Sequence, residues 1–120
     1  MADIDVLSFV AGSIHSVWAL ELLILLKRCA PEGRLEAELV RELRSSATAV
    51  SESLRQLHQA GLIVEDAETH YYRPASAAMN ELVIETENLY SVKPASVIKT
   101  IIASKNHNLQ TFADSFKLKE

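Results

Sequence analysis

LVRELRSSATAVSESLRQLHQAGLI, residues 39–63, holds two helical periods separated by a polar break. Before the break, Leu35, Leu39, Val40 and Leu43 recur on one face of a helix expected over 34–44, opposite Glu36, Glu38, Arg41 and Glu42. Ser45 and Ser46 interrupt the pattern. Either can cap the next helix, because a serine hydroxyl accepts from an unsatisfied N–H of the first turn. That helix, expected over about 47–60, turns Val50, Leu54 and Leu57 inward. Gly61 stands where a left-handed residue ends a helix at the least steric cost.

Beyond Gly61 the period changes from helical to alternating. Leu62 to Glu65 reads as a short strand, Asp66 to Thr69 as a turn, and His70 to Arg73 as a second strand closed by Pro74. Upstream, Ile4, Leu7 and Val10 mark a first short helix interrupted by Gly12 and Ser13. A second helix runs on to about Arg28, apolar nearly all round, as expected of a core helix. Downstream, helices are expected over 76–90, 94–104 and about 109–118. Pro94 sits at a favoured first-turn position, and Phe112 and Phe116 line the last helix.

The stretch from about Ser16 to Ser76 resembles bacterial winged helix-turn-helix regulators of the MarR and ArsR type. Leu39, Leu43, Ser46, Val50, Leu54, Leu57, Gly61 and Leu62 carry the likeness. The resemblance implies a mainly α fold with a small β-hairpin: a winged helix-turn-helix with additional N- and C-terminal helices. One domain over 1–120 is expected, with a core of about 14–75. The flanking helices, 3–11 and 76–118, are suited to homodimerisation, since Ile4, Leu7, Phe9, Val10, Phe112, Phe116 and Leu118 offer apolar faces.

The resemblance implies a sequence-specific transcriptional regulator whose partner is double-stranded DNA, read by the front of the helix after the break. On its outward face Thr48, Ser51, Glu52, Arg55, Gln56 and Gln59 would meet the groove. Arg55 suits guanine, the glutamines suit adenine, and Ser46, Thr48 or Ser51 suit phosphate or base edges. Arg41, Arg44 and Arg73 are the flanking phosphate candidates. Against this stands the hairpin tip, where Glu65, Asp66 and Glu68 would repel phosphate. Between residues 41 and 73 the arginines 41, 44, 55 and 73 are outnumbered by Glu42, Glu52, Glu65, Asp66 and Glu68. The second reading is therefore a protein-interaction module that keeps the same skeleton and docks its acidic wing, through Glu65, Asp66 and Glu68, to a basic protein partner. A small-molecule sensor is a third reading for which the sequence names no pocket.

Composition bounds the rest. The 120 residues are 48% hydrophobic and 23% charged with a formal charge of −4, the profile of a globular rather than a disordered chain. Cys29 is the sole cysteine, so no internal disulfide can form, and its helix-end position suggests a buried structural thiol. His15, His58, His70 and His107 are scattered, without the spacing of a metal motif, so no metal or other cofactor is expected. No nucleophile motif or glycine-rich loop points to an enzyme. Glu85 and Glu87, two apart on a helix, do not face one another. Trp18, Tyr71 and Tyr72 read as packing residues. The acidic start Met1-Ala-Asp-Ile-Asp lacks the basic region of a secretory signal, and the apolar run 17–26 is half a membrane span and contains Glu21. A cytoplasmic protein without a membrane segment is expected.

Overall fold

The computed structural model describes residues 3–104. In chain order these are α1 (Asp3–Ser13), α2 (Val17–Cys29), β1 (Arg34–Leu35), α3 (Glu36–Leu43), α4 (Ala47–Gln59), β2 (Ile63–Asp66), β3 (Thr69–Tyr72) and α5 (Ala77–Val92). A further helix, α6, covers Pro94–Ser104. The fold is mostly helical, with one small antiparallel sheet in the order β1-β3-β2. Among the described residues no single helix is long and apolar enough to cross a membrane.

Helix α2 is the centre of the core. Ser16, extended at φ −156°, caps it by accepting from the Ala19 amide at 3.0 Å. Its Ala19, Leu20, Leu22, Leu23, Ile24 and Leu26 are all buried, and α4 and β3 pack against it. Each such leucine contributes about 1.5–3 kcal/mol by leaving water, and this helix supplies more of the buried apolar residues than any other described element. Cys29, expected to be buried, is half-buried as its last residue.

The sequence reading merged two elements at Arg34. Helix α3 begins only at Glu36, and Arg34 and Leu35 are instead a strand, opposite His70 and Thr69 of β3. Leu35 fits the helical period, but its N–H is taken by the Glu38 carboxylate at 2.9 Å, an end-of-helix hydrogen bond. Gly33 permits the strand pairing. A Cβ there would stand 2.6 Å from Thr69 Cγ2 and 2.7 Å from the His70 carbonyl oxygen.

The hairpin is tighter than its polar tip suggests. Asp66 and Thr69 pair across the strands, which leaves only Ala67 and Glu68 in the turn. Both have left-handed backbone, with φ 51° and 69°. A turn with both central residues left-handed follows the right-handed twist of the strands, so the ladder runs one pair, Asp66 and Thr69, further toward the tip than expected, while both strands keep four residues.

The flanking helices close on this core. Val6, Val10 and Ile14 at the first end and Val97 and Ile101 at the other are buried in one apolar cluster with α2. Leu7 and Phe9 are half-buried. Ser104 Oγ donates to the Ala11 carbonyl at 2.8 Å, tying α6 to α1. Glu87 on α5 pairs with Lys27 at 3.0 Å and Arg28 at 3.4 Å, a structural use for a carboxylate the sequence left unassigned. The helix expected over 109–118, with Phe112, Phe116 and Leu118, lies outside the described residues.

Gly33→Ala is expected to destabilise the protein by about 1–3 kcal/mol, because the His70 carbonyl as well as the Thr69 and Tyr71 side chains must give way. Urea unfolding checks this, and an unchanged midpoint would show that β1 pairing tolerates the methyl group.

Candidate nucleic-acid interface

Helix α4 presents a continuous outward face built by its own period. Ser46, extended, caps it by accepting from the Ala49 amide at 3.0 Å. Val50, Ser53, Leu54 and Leu57 are buried, so the residues between them must face out. Thr48, Ser51, Glu52, Arg55 and Gln59 are exposed accordingly, while Gln56 is half-buried. Small residues occupy the first turn and longer ones the second and third, so a flat surface can approach the front of the helix closely.

Of the predicted site residues, Thr48, Ser51, Arg55 and Gln59 share this face. Arg41 lies exposed on α3, and Arg44, left-handed at φ 53°, ends that helix at the corner before α4. Arg41, Arg44 and Arg73 form no ion pair among the described residues. Two predicted contacts are already engaged. The Ser46 hydroxyl is committed to its cap, and Arg55 is paired with Glu52 one turn earlier, with Nε at 3.2 Å from the carboxylate. Glu52 is held below its usual carboxylate range, first by that hydrogen bond, and Arg55 is raised by the same contact. Both side chains are open to water, so the pair exchanges readily. Among the described residues the buried Gln56 Oε1 has no hydrogen-bond partner.

The acidic tip is not one patch. Neighbouring residues on a strand face opposite sides of the sheet. Ile63, Glu65, His70 and Tyr72 are paired on one side, and Val64, Asp66, Thr69 and Tyr71 on the other. Glu65 and Glu68 line a cleft of about 640 Å³ with His58, His70, Arg55 and Glu36. Asp66 lines a separate cleft of about 310 Å³ with Tyr71 and Arg73. The sequence grouped these carboxylates by adjacency, and the pleat divides them.

The turn after α4 decides what the first cleft contains. Gly61, at φ 76°, donates to the His58 carbonyl at 3.1 Å, and Leu62 donates to the Leu57 carbonyl at 3.1 Å. This paired closure sends the chain back across the end of α4, with Leu57 and Leu62 both buried. His58 Nε2 thereby comes within 3.2 Å of His70 Nδ1, and His70 is the direct cross-strand partner of Glu65. His70 is buried, and that burial lowers its pKa, opposed by Glu65, reinforced by His58 and opposed by Glu36. Spacing alone offered no metal set, yet the ligand atoms of His58, Glu65 and His70 lie within 4.8 Å of one another. A hairpin register already sets Glu65 opposite His70. What sequence cannot give is the angle at which the hairpin meets α4.

Two tyrosines hold the surroundings. Tyr72 donates to Asn80 Oδ1 at 2.6 Å, fastening β3 to α5, and burial pushes its pKa up to about 12. Tyr90 donates to Glu21 at 2.7 Å, fastening α5 to α2, and that bond first, then burial, takes it to about 12. Trp18, read as packing, is instead 45% exposed beside Val17, Glu21, Glu42 and Leu43. No protein-family model matches the chain, and no curated protein matches it.

A Cβ at Gly61 would meet Ala75 and Met79 only at ordinary contact distances, 3.6 and 3.8 Å. Gly61→Ala is therefore expected to cost about 1–2 kcal/mol from the left-handed backbone alone. Thermal unfolding measures it, and a neutral result would show that the turn does not depend on glycine.

Proposed function

We propose that the chain is a winged helix-turn-helix protein that binds double-stranded DNA as a transcriptional regulator, with α4 in the major groove and the β2–β3 hairpin as its wing. The observation that carries this reading is the joint exposure of Thr48, Ser51, Arg55 and Gln59 along one face of α4, with Arg41 and Arg44 beside its front end. The order helix, strand, helix, helix, hairpin from α2 to β3 supports it. In this reading Arg55 exchanges Glu52 for a guanine edge, Thr48 and Ser51 meet bases or phosphate, and the three outer arginines position the backbone. Arg73 would serve from the far side of the wing.

A homodimer would set two copies of α4 on a two-fold site. The exposed apolar side chains Val92 on α5 and Ile102 on α6 support a contact at one of the two chain ends expected to dimerise, while at the other Val10 is buried in the core. The second reading, a module docking to a basic protein, is favoured by exposed Glu65 and Glu68 on one side of the wing and weakened by Asp66 facing the other.

Fluorescence anisotropy of mixed genomic duplexes tests the DNA reading. Binding should weaken steadily as salt rises, since phosphate contacts release counterions, and Arg55→Ala should lower affinity about tenfold or more. No binding even at low salt sinks the reading in favour of protein docking. Sedimentation at micromolar concentration should show a dimer, and a clean monomer would remove the two-fold arrangement.

A further inference from the structure

We propose that His58, Glu65 and His70 form a binding site for one divalent transition-metal cation of the Zn²⁺ type, which fastens the hairpin to the last turn of α4. The proposal does not depend on DNA binding. Two imidazoles and a carboxylate are a donor set suited to zinc and its neighbours and poorly suited to calcium or magnesium, which prefer oxygen alone. Three protein ligands leave a fourth position for water or for one of the carboxylates lining the same cleft, Glu36 and Glu68.

The spacing of the donors fits an ion. Two nitrogens at about 2.0–2.1 Å from a tetrahedral centre stand about 3.3–3.4 Å apart. His58 Nε2 and His70 Nδ1 are 3.2 Å apart, with the rings 60° from coplanar. When the shared proton moves to the remote nitrogen of the imidazole that carries it, turning each ring about its last torsion aims both freed lone pairs at a shared point. Glu65 supplies the third donor, a carboxylate oxygen, from within 4.8 Å, and its exposed side chain has the freedom to close that distance. The backbone holding the three donors is fixed independently of any ion, by the Gly61 closure and by the Glu65–His70 pairing.

The charge of the cleft favours a cation. Glu36, Glu65 and Glu68 line it, and the one guanidinium among its described lining residues, Arg55, is already paired with Glu52. Without an ion, the two imidazoles share a single hydrogen bond, one donating and one accepting. That bond is the competing explanation for their closeness.

The test uses the full chain freed of metal with a chelator. Zn²⁺ is titrated calorimetrically, Co²⁺ is followed by its visible absorption, and thermal melting is recorded with and without Zn²⁺. One ion per chain, a tetrahedral Co²⁺ spectrum and a raised Tm are expected. His70 is buried and its loss endangers the fold, so the variants are His58→Gln and exposed Glu65→Gln. Each should lower Zn²⁺ affinity at least about tenfold while the metal-free Tm stays close to that of the parent. His15→Gln should leave binding unchanged. The proposal is overturned if the parent shows no Co²⁺ spectrum and no Tm rise. It is equally overturned if His58→Gln and Glu65→Gln bind as the parent does, since the imidazole contact is then a hydrogen bond and nothing more.

Discussion

The left-handed closure at Gly61 governs how the two parts of the candidate interface meet. It satisfies the last carbonyls of α4 through the Gly61 and Leu62 amides and drops Leu62 into the core beside Leu57. The direction of β2 follows from that turn, and the position of β3 follows from its pairing with β2. The far edge of β3 is then held by β1, where Gly33 allows the close approach. Helix α2 lies beneath all of this and supplies the buried surface against which α4 and β3 are seated. The exposed face of α4 and the orientation of the hairpin are thus set by a few backbone contacts and one apolar helix, not by the surface residues themselves.

That separation explains how the surface can carry conflicting charges. The α4 face has a single arginine, and it is shared with Glu52. The hairpin adds carboxylates, but alternation along the strands places Glu65 beside the histidines and Asp66 across the sheet beside Arg73. Exposed Arg41, Arg44, Thr48 and Ser51 lie on α3, the corner before α4 and the front half of α4, in parts of the chain separate from the hairpin tip. The overall charge of −4 says little about that local field.

Much of the architecture could be read from periodicity. The apolar repeat of Val50, Leu54 and Leu57, the serine before it and the glycine after it specify α4 and both of its ends, because each residue acts locally. The start of α3 was misread because Leu35 satisfies the helical pattern while its backbone is claimed by β3, a partner 34 residues away in sequence. The hairpin was found but its turn was set too long, since Ala67 and Glu68 lack the glycine or asparagine that advertises a left-handed pair. At the site, the outward residues of α4 followed from the helical period. The meeting of His58 with His70 did not, because it depends on the angle between a helix and a hairpin, which no spacing encodes.

The most direct measurement of the central claim is selection of duplexes from a random pool by the purified protein at moderate salt, followed by sequencing of the retained DNA. The account predicts an enriched motif made of two inverted half-sites centred about 10 base pairs apart, as two copies of α4 in successive major grooves would require. A pool that remains unenriched through repeated rounds, with the protein folded throughout, would contradict it.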